Sequence, residues 1–106
     1  MSLKIFDLSA KVAMVTGSTR GLGEVTAMAL AKAGADVAIC GRNRADLDRV
    51  SSAIRELGRD SAGFSLDVTS KKSVHEGLDR IVKHFGKVDI LVNNAGLNHK
   101  IGRAHV

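Results

Sequence analysis

Short runs of unbroken apolar residues alternate along this chain with longer stretches whose apolar positions recur every three or four residues. "KVAMVT" at 11–16 reads as a buried strand. Leu22, Val25, Ala29, Leu30 and Ala33 then share one helical face, with Gly34 placed to end the helix. "DVAIC" at 36–40 is a second strand, followed by helical spacing at Leu47, Val50, Ile54 and Leu57 and a closing Gly58. A weaker third strand, "AGFSLDV", covers 62–68. Val74, Leu78, Ile81, Val82 and Phe85 predict a third helix that stops at Gly86, and "VDILVN" at 88–93 is a fourth strand. The order β-α-β-α-β-α-β, with strands too apolar to face water, predicts a doubly wound α/β fold. Its parallel sheet has helices on both faces and an expected strand order of 3-2-1-4.

Composition narrows the partners. A single chain of 106 residues, 44% hydrophobic, forms one domain with a core and excludes disorder. Sixteen Lys and Arg against 11 Asp and Glu give a net charge of +5. The basic residues are scattered, without a run or interleaved aromatics, so a nucleic-acid partner is not expected. No apolar stretch approaches the roughly 18 residues of a membrane span, and "MSLKIFDLSAK" has no leader-like apolar segment. Neither a membrane partner nor a secretory route is expected. Cys40, the one cysteine, lies in an apolar run as a small core residue. It allows no disulfide framework, which suits the cytoplasm. His75, His84, His99 and His105 show no metal-ligand spacing, so no metal is expected.

Candidate chemistry sits in "TGSTRGLG", between the first strand and the first helix. Gly17, Gly21 and Gly23 would let the backbone turn tightly and approach a diphosphate, with Gly23 packing the helix close. The helix N-terminus supplies N–H groups and a favourable dipole for an anion. Ser18, Thr19, Arg20 and Leu22 complete the loop, acting more through backbone N–H groups than through hydroxyls. The spacing is neither GxGxxG nor the GxxxxGK[ST] loop of nucleoside triphosphatases. On residues alone, it reads either as a tight strand-to-helix turn or as a dinucleotide loop, and its setting favours the dinucleotide.

"TGSTRGLG" together with "NNAG", which is Asn93, Asn94, Ala95 and Gly96 after the fourth strand, resembles the short-chain dehydrogenase/reductase family. The lead-in "FDLSAKVAMVTG" resembles the family's entry, and the likeness runs from about Phe6 to about Leu97. It implies the N-terminal part of a Rossmann-type NAD(P)-binding domain over residues 1–97. It also implies carbonyl reduction or alcohol oxidation by hydride transfer on a small substrate, in a homo-oligomeric parent, dimer or tetramer. "ICGRN" and the entry point loosely to gluconate 5-dehydrogenase or 3-oxoacyl reductase relatives.

The cofactor expectation is NADP, with NAD as the alternative. NAD-binding folds place an acid about 20 residues past the glycines, on the adenine ribose. Here Cys40, Gly41 and Arg42 stand at that place. Arg20 and Arg42 flank the expected 2′-phosphate, a good match for guanidinium forks, and in similar family members such a pair goes with NADP. Arg42 can equally be a solvated loop residue; Asn43 beside it joins the candidate set. Asp67 reads as a turn residue before Thr69 and Ser70, or as an adenine contact; the resemblance favours contact, with the Val68 N–H beside it. The resemblance lays Asn93, Asn94, Ala95 and Gly96 along the ribose while also giving them a structural part in the central sheet.

In the family a Ser polarises the carbonyl and a Tyr-x-x-x-Lys pair handles the proton, all beyond the fourth strand. This chain has no tyrosine, so no catalytic residue is assigned. Residues 98–106 depart from the family, and "KIGRAHV" reads as translated sequencing adapter, making the chain an inactive fragment. The fragment would leave its fourth strand as an aggregation-prone edge, with marginal stability and weak cofactor binding. The rival reading is a complete, non-catalytic dinucleotide-binding module.

Overall fold

The computed structural model describes residues 7–94. Seven elements follow one another: β1 (Val12–Thr16), α1 (Gly21–Lys32), β2 (Asp36–Gly41), α2 (Arg44–Glu56), β3 (Ser61–Ser65), α3 (Lys71–Phe85) and β4 (Ile90–Asn93). The four strands form one parallel sheet in the order β3-β2-β1-β4, as the pattern predicts.

The alternation of side chains along each strand divides the core into two layers. Ala13 and Val15 of β1 and Val37 and Ile39 of β2 face α1 and α2, packing with Ala27, Ala31, Leu47, Val50 and Ile54. Met14, Ala38 and Cys40 face the other way, onto Phe64, Leu66 and Ile81, with Val74, Leu78 and Phe85 of α3 against them. Two helices therefore cover one face and one helix covers the other. That explains why β1 and β2 are apolar at every position.

The first helix departs from the expected face. Leu22 and Val25 are 65% and 63% exposed, whereas Gly23, Ala27 and Ala31 are buried. Small residues at this spacing let α1 lie close to the sheet, with Met28 and the expected Leu30 partly buried against the same core while Leu22 and Val25 point outward. The third strand ends earlier than predicted. Leu66 still donates its N–H to Gly41 O at 3.0 Å, but Asp67 turns away, donating its N–H to Ser73 Oγ at 2.9 Å. At β4, strand pairing starts with Asp89, whose N–H reaches Val12 O at 2.8 Å while its carboxylate accepts Val12 N–H at 2.9 Å.

Register brings the carboxyl ends of the strands level. Thr16 stands opposite Cys40 on one side and Asn93 on the other, and Gly41 stands opposite Ser65. The described candidate residues lie at these ends or in the segments leaving them. The chain leaves β1 toward β2 and later crosses to β4 on β1's other side, so the switch point at which open α/β sheets form their ligand crevice falls between the carboxyl ends of β1 and β4. Ala95, Gly96 and the stretch 98–106 lie outside the described residues, as do His99 and His105.

Candidate dinucleotide site

The glycine loop turns tightly between β1 and α1. Gly17 and Gly21 have φ of 63° and 51°, values that a side chain disfavours. Gly23, inside the first turn of α1, is required for a different reason. A Cβ there would stand 1.8 Å from the carbonyl oxygen of Gly17. The helix therefore starts in contact with the backbone of its own entry loop. Arg20 is the N-cap residue in extended geometry and its side chain makes no capping bond to the first N–H groups of α1.

Ser18 plays a part that its sequence position did not reveal. Its side chain is fully buried, with Oγ accepting Cys40 N–H at 3.1 Å and donating to Cys40 O at 3.3 Å. The hydroxyl thus stitches the loop to the end of β2. Thr19 is half-buried, with its side chain near Gly41, while Leu22 faces outward. The Cys40 thiol is pushed up to about 12, first by burial, against a smaller lowering by Arg80.

Beyond β2 and β3, the structure brings Arg42 and Asp67 together. Arg42 Nη2 lies 3.8 Å from Asp67 Oδ1, and the guanidinium is largely exposed. Asp67 Oδ1 also accepts from Thr69 N–H at 2.9 Å and Thr69 Oγ1 at 2.6 Å, so the carboxylate closes the turn before α3. These two Thr69 bonds, ahead of Arg42, hold its carboxyl below the usual carboxylate range. Asn43 caps α2, its side-chain oxygen accepting Asp46 N–H at 3.0 Å. Val68 is exposed beside Asp67.

On the far side of the crevice, Thr16 Oγ1 donates to Asn93 Oδ1 at 2.8 Å, and Asn94 N–H reaches Thr16 O at 3.3 Å. Asn93 therefore fixes β4 to β1. Asn94 Nδ2 is buried without a hydrogen-bond partner among the described residues. A buried amide donor in that condition suits a site that takes a polar ligand.

Arg49 in α2 was not singled out from the sequence, yet it is tied to the loop. Its Nη2 donates to Thr19 O at 3.0 Å and its Nη1 to Glu24 Oε2 at 3.1 Å. The Glu24 hydrogen bond is the largest cause holding Arg49 above its ordinary pKa. No periodic signal marks such a residue, because its partners lie 25 and 30 positions earlier in the chain. His84 interacts with Asp60 at 3.2 Å and sits edge-on to Phe64, away from the crevice. No group of three His, Cys, Asp or Glu able to hold a metal occurs among the described residues.

The glycine cradle, the open helix end and the buried Asn94 donor fit a dinucleotide cofactor at the carboxyl edge of the sheet. Comparison with known proteins gives the same direction. A family profile described as short chain dehydrogenase matches residues 11–105. The chain belongs to this family. Gluconate 5-dehydrogenase of Gluconobacter oxydans is 38% identical to this short-chain dehydrogenase chain over 96 residues, covering 91% of it and 38% of the relative. The 3-oxoacyl-[acyl-carrier-protein] reductase FabG of Pseudomonas aeruginosa is 38% identical over 91 residues, 86% of this chain and 37% of that one. Among solved structures, a putative short-chain alcohol dehydrogenase from Sinorhizobium meliloti 1021 superposes with a TM-score of 0.82 at 40% identity. That match covers 88% of this chain and 37% of the other. The chain thus spans little more than a third of the length of these relatives. These family members share the oxidoreductase class and the Rossmann-like sheet seen here.

Proposed function

We propose that this chain is the cofactor-binding part of an NADP(H)-dependent oxidoreductase that reduces carbonyls or oxidises alcohols in the cytoplasm. The observation that carries the reading is the contact between α1 and its entry loop. Gly23 has no room for a side chain, and Gly17 and Gly21 hold positive φ, so the uncovered end of α1 faces the turn after the central strand. The diphosphate would lie on the backbone N–H groups of residues 18–23, held by the helix dipole. Asn94 would donate its Nδ2 hydrogens, unpartnered among the described residues, to the bound cofactor. The bound cofactor supplies the hydride or takes it up.

Preference for NADP rests on Arg42, whose exposed guanidinium stands after β2 with only a 3.8 Å contact to Asp67, and on Arg20 at the start of α1. A bidentate fork can join a 2′-phosphate without displacing a strong bond. No carboxylate ends or directly follows β2 to favour a ribose hydroxyl, since Cys40 and Gly41 close the strand and Arg42 and Asn43 form the turn. The substrate class follows the gluconate-type and 3-oxoacyl relatives. The chain holds no tyrosine, so the proton of a family-type reaction would not come from a phenol of its own.

The experiment is titration of NADP and NAD into the wild-type chain, Arg42→Ala and Arg20→Ala by calorimetry. NADP should bind the wild type about tenfold more tightly than NAD, and each substitution should reduce that ratio while sparing NAD. Equal affinities for the two cofactors in the wild type would remove the NADP preference; binding of neither would remove the dinucleotide reading.

A further inference from the structure

Arg49 joins three segments that the sequence keeps apart. From α2 it donates to the carbonyl of Thr19 in the glycine loop, pairs with Glu24 in the first turn of α1, and lies 3.9 Å from Asp46 in its own helix. Among the described residues, it is the side chain bonded to both the loop and the start of α1. We infer that Arg49 is a positioning residue for the diphosphate seat: it braces the loop through Thr19 and neutralises Glu24 beside the anion. This inference rests on the dinucleotide reading above.

Two physical effects require such a residue. The first concerns the peptide unit that follows Thr19. If its carbonyl oxygen is fixed by a guanidinium, the plane of that peptide is fixed too, and with it the direction of the Arg20 N–H. A loop containing Gly17 and Gly21 otherwise has broad freedom to rotate its peptides, so its donors would not converge without an external brace. The second concerns charge. A carboxylate in the first turn of a helix suits the dipole, but it repels an anion arriving at the same end. Glu24 is in that position, and its side chain is about one-third exposed, so its charge is incompletely screened. Pairing with Arg49 at 3.1 Å opposes that repulsion before the ligand arrives. Arg49 belongs to no core cluster and its side chain is half exposed, so replacing it removes no hydrophobic packing of the sheet.

The two effects are separable. Arg49→Met removes both the brace and the neutralisation. Adding Glu24→Gln to that variant restores only the neutral surface, whereas Arg49→Lys keeps a charge but loses the fork. Calorimetric titration of NADP, with NMR order parameters of residues 19–21 in the cofactor-free chain, reads both. Arg49→Met should weaken binding by about three- to tenfold and lower the order parameters at 19–21. The double variant should recover part of the affinity but none of the order, and Arg49→Lys should fall between wild type and Arg49→Met.

Binding and order in Arg49→Met equal to wild type overturn the inference. A loss of affinity that Glu24→Gln leaves untouched, and that tracks a lower unfolding midpoint, also overturns it. If the wild type binds neither NADP nor NAD, the dinucleotide reading fails. The order parameters alone then decide whether Arg49 braces the loop.

Discussion

Gly23→Ala sets two known effects against each other, and the structure determines which prevails. Gly23 lies within α1 and is not among the glycines with positive φ. In an unobstructed helix, replacement by alanine would stabilise the fold by about 1 kcal/mol through backbone entropy. Here the added Cβ would lie 1.8 Å from Gly17 O, 2.8 Å from Gly17 C and 3.0 Å from Ser18 Cα. All three are backbone atoms, so no rotamer change relieves the overlap. The closest contact has to open to about 3.4 Å, which means moving the start of α1 off the loop. Overpacking in a dense core costs about 1–3 kcal/mol, and a backbone clash belongs at the upper end. The net expectation is a destabilisation of about 2 kcal/mol, a fall of about 1–2 M in the urea midpoint. Gly77→Ala is the control, since its Cβ would meet Leu66 Cδ2, the end of a flexible side chain, at 2.5 Å. Urea unfolding followed by far-UV circular dichroism should show a large loss for Gly23→Ala and a small one for Gly77→Ala. A higher midpoint for Gly23→Ala, or an equal loss for both, would refute the reasoning.

Further expectations concern the groups around the site. Ser18→Ala removes the hydroxyl that accepts Cys40 N–H, while Cys40 O keeps the Ser18 backbone N–H at 3.5 Å, and should cost about 1–3 kcal/mol in the same unfolding assay. Asp67 has a folded pKa below its ordinary 3.8, chiefly through Thr69. Its contribution to stability is therefore present above pH 3.8 and lost as pH falls through the folded value. Asp67→Asn should flatten the acid limb of an unfolding-versus-pH curve, because the variant lacks that contribution near neutrality and its deficit against wild type closes as pH falls below about 4. Cys40, buried with its thiol pushed up to about 12, should resist iodoacetamide at pH 8 in the folded chain and react fully in urea, as mass spectrometry would report.

Much of this architecture was legible in the residue pattern because β1 and β2 are buried on both faces. "VAMVT" and "DVAIC" carry no polar alternation that another fold would explain. The helix ends were legible too, through Gly34, Gly58 and Gly86, which have φ of 112°, 90° and 90°. The buried face of α1 was legible only in part. The loop spacing marked Gly23 as a point of close helix packing, but Ala27 and Ala31 are too small to stand out as an apolar stripe, and Leu22 and Val25 suggested a different one. What positions them is the closeness of helix and sheet, a tertiary quantity. The same holds for the site. Glycine spacing announced the loop, but Ser18's tie to Cys40, Asn43's cap on α2 and Arg49's reach to Thr19 depend on which segments the sheet brings level. Asp67 shows the turn-residue reading, closing a turn with Thr69, and its 3.8 Å contact with Arg42 depends on the sheet bringing the ends of β2 and β3 level.

The central claim is that the backbone between Gly17 and Gly23 seats the diphosphate of a dinucleotide. Amide NMR of the isotopically labelled chain during titration with NADP tests it most directly. The account predicts saturable shifts concentrated at residues 17–23, with smaller ones at Arg42 and Asn94. Shifts confined to other surfaces, or no shifts at saturating NADP and NAD, would contradict it.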